Sequence, residues 1–267
     1  MKYLLVLRLI YRLMLGLFWA IMVSLLIPVI FVLVSRRATW RQGFPELCMH
    51  LLSRRFYSSF NVKVRYFGEP VANGNMVMAN HVSWLDIVVL TGRFPFGFVA
   101  KSEVRQWPIF GAAGAAIGTL FINRMSKFAV YRSLPEGQAI LRRKQTLAVF
   151  PEGTTTHGEQ ALPFFPMTFE IAVREGALVQ PVALRYLNAD GSPSTAAPFV
   201  GDDGFLQSLA RVAFCPATYV EVHLLTPLDA RQLNRKQLAC AARDSINQAL
   251  ALQGHTQQIA APSAFPS

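Results

Sequence analysis

The feature that most limits how this chain can fold is an uncharged apolar run near its start. Twenty-three residues, Leu13–Ser35, lie between Arg12 and Arg36 without a charged side chain. At about 1.5 Å per helical residue, such a run is long enough to cross a hydrocarbon core of about 30 Å. A cleavable signal peptide fits less well, because its apolar part is usually ~7 to 15 residues long and ends at a small-residue cleavage site. We therefore expect the N-terminal segment to contact a membrane.

The sequence leaves the form of this attachment open. One form is a single span, and the other is a monotopic helical hairpin in one leaflet, because Pro28 would kink or break a helix in the middle of the run. Three basic residues precede the run and three follow it closely, so the positive-inside rule gives no orientation. The stretch with Trp40, Phe44, Arg54 and Arg55 suits either an amphipathic interfacial helix or a buried connecting helix.

Composition and charge favour a lipid surface as the partner. Only 15% of the residues are charged, against ~25% in an average soluble chain. Residues 1–66 carry ten Lys or Arg and one acid, a balance of +9, whereas residues 67–267 carry sixteen and fourteen, a balance of +2. A nucleic-acid binder would carry this excess on the domain that contacts phosphates. Here the excess flanks the apolar run, where anionic lipids attract it, so we expect no nucleic-acid partner.

Beyond residue 60, short apolar runs alternate with helical patterns. The predicted strands are 62–66, 76–79, 98–100, 120–123, 146–150, 179–186 and 219–224. The predicted helices are 83–90, 126–144, 168–175 and 231–250. This order predicts an α/β fold with a mixed, mostly buried β-sheet flanked by helices, preceded by an N-terminal membrane-attached helical segment. The expected division is a membrane-anchoring segment at 1–60, the α/β domain at 61–253 and a flexible tail at 254–267.

The first group of residues suited to chemistry is NHVSWLD, in which His81 follows an apolar strand and Asp86 comes five residues later. Five helical steps rotate by about 500°, so the two side chains would lie roughly 140° apart on one helix. His81 is therefore expected on the strand-to-helix turn, with Ser83 capping the helix. From the first helical turn, Asp86 can reach back to the imidazole and leave its other nitrogen free to accept a proton. The alternative is a structural role for both residues.

Two further stretches could contact a polar substrate. The loop FPEGTTTHG at 150–158 follows a strand and combines Glu152 with three threonine hydroxyls, although a simple tight turn would also explain its proline and glycine. We interpret His157 as a loop histidine. Arg124, in GTLFINR at a strand end, is suited to bidentate contact with a phosphate, although many such arginines are only solvated.

Several common chemistries lose support because their motifs are absent. There is no G-x-S-x-G, G-x-x-x-x-G-K or H-E-x-x-H, and the three cysteines are widely separated. These absences argue against a serine hydrolase, an NTPase and a zinc enzyme, and we expect no metal site. The run GAAGAAIG at 111–118 lacks G-x-G and no strand precedes it, so it favours close helix packing over dinucleotide binding.

Taken in order, NHVSWLD, GTLFINR, FPEGT and ALVQPVALRY resemble the four sequence blocks of the glycerolipid acyltransferases of the 1-acyl-sn-glycerol-3-phosphate type, over about Val62–Tyr186. The resemblance implies transfer of a fatty acyl group from acyl-CoA or acyl carrier protein to the sn-2 hydroxyl of 1-acylglycerol 3-phosphate, giving phosphatidic acid. It implies no resident cofactor. It also implies a membrane-attached N-terminal segment, and we expect the bacterial inner membrane with the catalytic domain on its cytoplasmic face.

The resemblance also assigns roles to residues of the four blocks. His81 and Asp86 would be the catalytic pair, and Arg124 would bind the acceptor phosphate. The E-G-T block would contribute to acceptor binding through Glu152, Gly153 and Thr154. Pro181 matches the proline of the fourth block, to which donor binding or a structural role is usually assigned.

One departure from the family pattern concerns the acceptor. Thr155 and Phe165 stand where the family often has a basic residue and a lysine, which puts part of the phosphate site in doubt. A different lysolipid, such as a lyso-ornithine lipid, is therefore an alternative acceptor. An alternative from another class is a non-catalytic membrane protein that binds lipid.

Overall fold

A computed structural model describes residues 2–35, 44–94, 96–106, 111, 114–115, 119–122 and 127–256 of the chain. Within these residues the α-helices are α1 (Lys2–Ser35), α2 (Phe44–Ser59), α3 (Leu85–Thr91), α4 (Lys127–Arg142), α5 (Glu170–Glu175), α6 (Phe205–Phe214) and α7 (Arg235–Thr256). Short 3-10 helices occupy Ser102–Gln106 and Pro166–Phe169.

The strands form one mixed sheet. They are β1 (Val62–Phe67), β2 (Met76–Ala79), β3 (Phe96–Lys101), β4 (Leu120–Ile122), β5 (Thr146–Val149), β6 (Leu178–Leu187), β7 (Thr218–Leu224) and β8 (Leu228–Asp229). Their order is β1-β7-β6-β2-β5-β3-β4, with β8 paired to β6. Neighbours are parallel except that β6 is antiparallel to β7 and to β8. The predicted α/β fold with a mixed sheet is confirmed.

Helices cover both faces of the sheet, which explains why its central strands are apolar throughout. All four residues of β2 and all four of β5 are buried, as expected for strands covered on two sides. One buried cluster includes side chains of α2, α3 and α6, and α1 packs against it. The second cluster lies on the opposite face with side chains of α4, α5 and α7. The sequence blocks around β2, β5 and β6 therefore lie on a rigid central scaffold.

The predicted strands agree with the observed ones to within about two residues, but α6, β8 and the 3-10 helix Ser102–Gln106 were not predicted. Helix α6 lies in a stretch with no predicted element, and β8 is only two residues long. The predicted tail begins at residue 254, whereas α7 continues to Thr256; residues 257–267 lie outside the described part of the chain.

Helix α1 begins eleven residues before the uncharged run and passes through Pro28 without ending. The helix is therefore not broken at Pro28, whereas a hairpin that turns at this residue would need such a break. Gly16 allows α1 to contact the end of α2 closely, because a Cβ there would lie 2.3 Å from the Phe60 Cζ atom. No helix among the described residues has both the length and the apolar character needed to cross a membrane.

Two arginines of α1 bind the α/β domain. Arg12 is buried and donates to the carbonyl oxygens of Ala213 at 3.0 Å, Cys215 at 2.5 Å and Pro216 at 2.9 Å. Arg8 donates to Phe214 O at 3.1 Å. These carbonyls lie at or just after the end of α6, where a helix leaves its last acceptors unpaired. These two basic residues therefore stabilise the fold, whereas the charge pattern predicted contact with lipid.

Helix α2 packs on the α/β domain as the interpretation of a connecting helix expects, and a contact of its outer face with lipid stays a prediction. Its inner side chains join the first core cluster, and Arg54 donates through Nε to Gly92 O at 2.9 Å, next to the end of α3. Arg54 thus contacts a helix end, while its side chain is exposed. Arg55 is exposed on the same helix. Trp40 lies outside the described residues.

Candidate active site

The first and third sequence blocks meet at the carboxyl ends of two central strands. Strands β2 and β5 are parallel neighbours, with Met78 opposite Val149, so the residues that follow them emerge side by side. Asn80 extends the pairing of β2 with β6, because its side chain donates to Leu184 O at 3.0 Å and accepts from Leu184 N at 2.7 Å. The backbone leading to His81 is thereby fixed.

His81 and Asp86 are in direct contact. The His81 Nδ1 atom lies 2.7 Å from Asp86 Oδ2, so Nδ1 carries the proton that this carboxylate accepts and Nε2 carries the lone pair. The His81 side chain is 20% exposed, whereas the Asp86 side chain is fully buried. Among the described residues, no group forms a hydrogen bond with Nε2. That nitrogen is therefore available to a substrate hydroxyl.

The Asp86 carboxylate also holds the start of α3. Its Oδ2 atom accepts from the backbone amides of Val82 at 2.8 Å and Ser83 at 3.0 Å. Its Oδ1 atom accepts from the Tyr186 hydroxyl at 2.6 Å. The expected Ser83 cap is wrong, because α3 begins at Leu85 and the Ser83 hydroxyl is buried without a partner in the described part of the chain. The carboxylate takes the place of the cap.

Glu152 supports the backbone of the site. Its Oε1 atom accepts from His81 N at 2.7 Å, and its Oε2 atom accepts from Leu162 N at 2.8 Å. The side chain is buried, and this burial raises its pKa, although the two backbone hydrogen bonds act in the opposite direction. Both oxygens are therefore already engaged in the absence of substrate. The role of Glu152 in substrate binding stays a prediction.

The loop after Glu152 closes around the histidine. Thr156 donates to His81 O through its amide at 2.8 Å and through its hydroxyl at 3.3 Å. The imidazole stacks on the Phe150 ring, with centroids 4.1 Å apart and planes 13° apart. Thr155 donates through its hydroxyl to Phe199 O. The imidazole is thus fixed by the Asp86 carboxylate, by the Phe150 ring and by the hydrogen bonds to the His81 backbone.

The exposed part of the site is formed by the E-G-T block. Gly153 and Thr154 are exposed, and Gly153 has a φ of +72°, which an L-residue adopts only with strain. Within the described residues, the amides of Thr154 and Thr155 donate no hydrogen bond. A polar group of a substrate could therefore be bound here.

The other residues singled out in the sequence do not contact the His81–Asp86 pair in the described part of the chain. Arg124 lies outside the described residues, although β4, which precedes it, ends at Ile122. Pro181 is buried on β6 opposite Met78. His157 is exposed, as expected of a loop histidine. Phe165, where the family often has a lysine, is 60% exposed and its ring lies over Gly153.

Sequence reasoning missed how three residues support the site. Tyr186 was missed, although it ends an otherwise aliphatic row (Val182, Leu184, Tyr186) and a buried tyrosine hydroxyl needs a partner. Asn80 was missed as well, and its place directly before His81 was the only signal. Thr156 was named only as one of three loop hydroxyls that could contact a substrate, and its contact with His81 O was missed. Their hydrogen bonds join segments that are far apart in sequence, up to 104 residues for Asn80.

Comparisons with known proteins agree with these features. The family model described as Acyltransferase matches residues 63–185. The chain is 38% identical over 198 residues to the lyso-ornithine lipid O-acyltransferase of Pseudomonas aeruginosa, covering 73% of this chain and 75% of that protein. It is 36% identical over 181 residues to the 1-acyl-sn-glycerol-3-phosphate acyltransferase of Neisseria gonorrhoeae, covering 67% and 68%.

A solved structure also shares the fold. The crystal structure of the 1-acyl-sn-glycerophosphate acyltransferase of Thermotoga maritima matches with a TM-score of 0.66 at 20% identity, covering 96% of this chain and all of that one. At this identity the likeness establishes the architecture alone.

Proposed function

The chain belongs to the acyltransferase family matched by that model, and from this membership we propose that it transfers a fatty acyl group from a thioester to the hydroxyl of a lysolipid. The observation that carries the proposal is the contact of His81 Nδ1 with the buried Asp86 carboxylate at 2.7 Å, which leaves Nε2 free at the exposed edge of the site. The acyl donor is acyl-CoA or acyl carrier protein.

The reaction is one direct transfer. Nε2 of His81 accepts the proton of the lysolipid hydroxyl while the hydroxyl oxygen attacks the thioester carbonyl carbon. The resulting tetrahedral intermediate expels the thiolate, which takes the proton from the imidazolium. Asp86 stabilises the imidazolium between the two steps. The free amides of Thr154 and Thr155 are suited to hydrogen bonding with the developing oxyanion.

The leading acceptor is 1-acylglycerol 3-phosphate, and the product is then phosphatidic acid. The ordered sequence blocks and the relative from Neisseria gonorrhoeae, which is named for this acceptor, support the choice. In this proposal, Arg124 binds the phosphate, and Gly153 and Thr154 contact the acceptor.

A lyso-ornithine lipid is the second candidate acceptor, and it is favoured by a specific observation. Phe165, exposed and lying over Gly153, presents an aromatic ring where the family often has a lysine. The relative from Pseudomonas aeruginosa is named for this acceptor. A site with one cation fewer would bind a phosphate less strongly.

The surface of α1 supports the proposal that the protein attaches to a membrane. Large apolar side chains are exposed along one stripe of this helix: Tyr3, Leu7, Ile10, Met14, Leu17, Phe18, Ile21 and Leu25. Exposed apolar area of this extent is typical of an interaction surface. A bilayer that also holds the lysolipid explains this surface, and we place the enzyme at the bacterial inner membrane with its catalytic domain on the cytoplasmic side. Vesicle sedimentation tests this: Met14→Glu/Leu17→Glu should lose binding to anionic vesicles, and unchanged binding would refute it.

The reaction is tested with the purified full-length protein. Given acyl-CoA and lysophosphatidic acid in mixed micelles, it should release free thiol and form phosphatidic acid. We expect His81→Ala to lower the rate by at least ~10², the lower range for removal of a general base. His157→Ala is the matched control, since this histidine lies exposed in the same region, and it should keep the wild-type rate. Full activity of His81→Ala would refute the mechanism.

The acceptor is tested with the same protein and a panel of lysolipids. Mass spectrometry of the products distinguishes lysophosphatidic acid from lyso-ornithine lipid as acceptor. Exclusive use of the phosphate-free lipid would refute the leading choice. In that case Phe165→Lys should improve turnover of lysophosphatidic acid.

A further inference from the structure

Tyr186 is the polar end of a buried aliphatic row on β6. Val182, Leu184 and Tyr186 all belong to the first core cluster. The Tyr186 side chain is buried, and its only hydroxyl contact among the described residues is the Asp86 Oδ1 atom at 2.6 Å. A hydroxyl inside an apolar cluster is unfavourable unless it forms a hydrogen bond. The bond to Asp86 is therefore the reason that a tyrosine can occupy this position.

The two oxygens of Asp86 have unequal partners. Oδ2 accepts from His81 Nδ1 and from the amides of Val82 and Ser83, whereas within the described residues Oδ1 accepts from Tyr186 alone. Because the carboxylate is fully buried, solvent does not readily replace a missing donor. The orientation of the carboxylate plane, and with it the position of Oδ2 against the imidazole, depends on Tyr186.

Tyr186 can only act as a donor at physiological pH. Its pKa is raised well above 10, mainly by burial and further by the charge of Asp86. The hydroxyl therefore keeps its proton and directs it toward Oδ1. A neutral donor stabilises the negative charge of Asp86 without adding a competing charge to the core.

We propose that Tyr186 is a positioning residue for acyl transfer, the third member of a hydrogen-bonded chain in which it orients Asp86 and Asp86 orients His81. The inference rests on the proposed function of the His81–Asp86 pair. Tyr186, which belongs to the fourth sequence block, would thus support proton transfer. It would act through Asp86 and not through contact with either substrate. Loss of the hydroxyl should therefore lower kcat and leave KM for both substrates unchanged.

The experiment compares Tyr186→Phe with Tyr66→Phe in the full-length enzyme. Tyr66 is a matched control, since its hydroxyl donates to Val89 O at 2.8 Å on the same helix α3 but does not contact Asp86. We expect Tyr186→Phe to lower kcat about tenfold, the order expected for loss of a hydrogen bond to a charged group. Tyr66→Phe should keep the wild-type kcat. Equal kcat values for the two variants would overturn the inference.

A double-mutant cycle distinguishes positioning from general loss of structure. If Tyr186 acts only through the carboxylate, Tyr186→Phe should have little further effect on kcat in an Asp86→Asn background. A second tenfold loss in that background would overturn the inference. An independent readout is the His81 Nδ1 proton signal in an NMR spectrum, which should move in Tyr186→Phe and stay in place in Tyr66→Phe. An unmoved signal in Tyr186→Phe would also overturn it.

The two proposals fail in different ways. A wild-type protein without turnover on any lysolipid would contradict the proposed function. A wild-type protein that is active, together with a Tyr186→Phe variant that matches it in kcat and in the Nδ1 signal, would contradict only the role of Tyr186.

Discussion

Replacement of Arg12 by methionine tests how strongly α1 is attached to the catalytic domain. Arg12 as a whole is 8% exposed, and its guanidinium donates three hydrogen bonds to carbonyl oxygens at or just after the end of α6. Hydrogen bonds from a charged donor contribute about 1.5 to 3 kcal/mol each. Burial of the guanidinium costs several kcal/mol in lost hydration, so the net contribution of the side chain to the free energy of unfolding is about 3 kcal/mol. Methionine preserves the apolar length of the side chain but none of the donors.

The assay is urea-induced unfolding of the full chain in detergent, followed by tryptophan fluorescence. With a denaturant slope of about 3 kcal/mol per molar urea, a loss of ~3 kcal/mol moves the midpoint down by roughly 1 M. The urea midpoint of Arg12→Lys should lie between those of the wild type and Arg12→Met, because a single ammonium group cannot donate in the forked geometry of the guanidinium.

The matched control is Arg55→Met, which removes an exposed arginine of α2 and should change the free energy of unfolding by less than about 0.5 kcal/mol. If Arg12→Met unfolds at the same urea concentration as Arg55→Met, the carbonyl contacts contribute no net stability. The reasoning from buried donors would then be refuted.

Two further predictions concern the scaffold. The pKa of Glu221 is lowered by its hydrogen bond to His223 and by Arg185 and Arg65. Its stabilising contribution is therefore fully present above about pH 4.5 and is lost as the pH falls through its lower folded-state pKa. Glu221→Gln should cost ~2 kcal/mol at pH 7 and progressively less as the pH is lowered below about 4.5, and a loss that does not change with pH would contradict this. Gly176 ends α5 with a φ of +59°. Gly176→Ala should therefore lower the free energy of unfolding by about 1 kcal/mol, which thermal unfolding measures. An unchanged free energy of unfolding would contradict this prediction and show that the turn relaxes.

The contact between His81 and Asp86 could be predicted because it is local. Only five residues separate the two, and a strand that ends directly before a helix permits few arrangements of the turn between them. The strand β2 was equally predictable, since four consecutive apolar residues next to polar turns fit a buried strand. Local spacing and burial thus fixed the centre of the candidate site.

The partners that complete the site could not be predicted, because they come from distant segments. Tyr186 contacts Asp86 across 100 residues of sequence, and this pairing depends on the register of β6 against β2. Arg12 was interpreted as a lipid-facing charge, since nothing near it in sequence indicates the carbonyls that it binds. Helix α6 was missed although its apolar residues Phe205, Leu209, Val212 and Ala213 have helical spacing.

The attachment of α1 to the end of α6 has a consequence for biosynthesis. Arg12 and Ala213 are separated by 201 residues, so the helix leaves the ribosome long before its binding site exists. At about 5 to 20 residues per second, translation of the intervening chain takes on the order of 10 to 40 s. During this interval the face of α1 that later binds the end of α6 lacks that partner. If α1 contacts the bilayer as proposed, it can do so before α6 has been made, and the enzyme would then fold next to its lysolipid substrate.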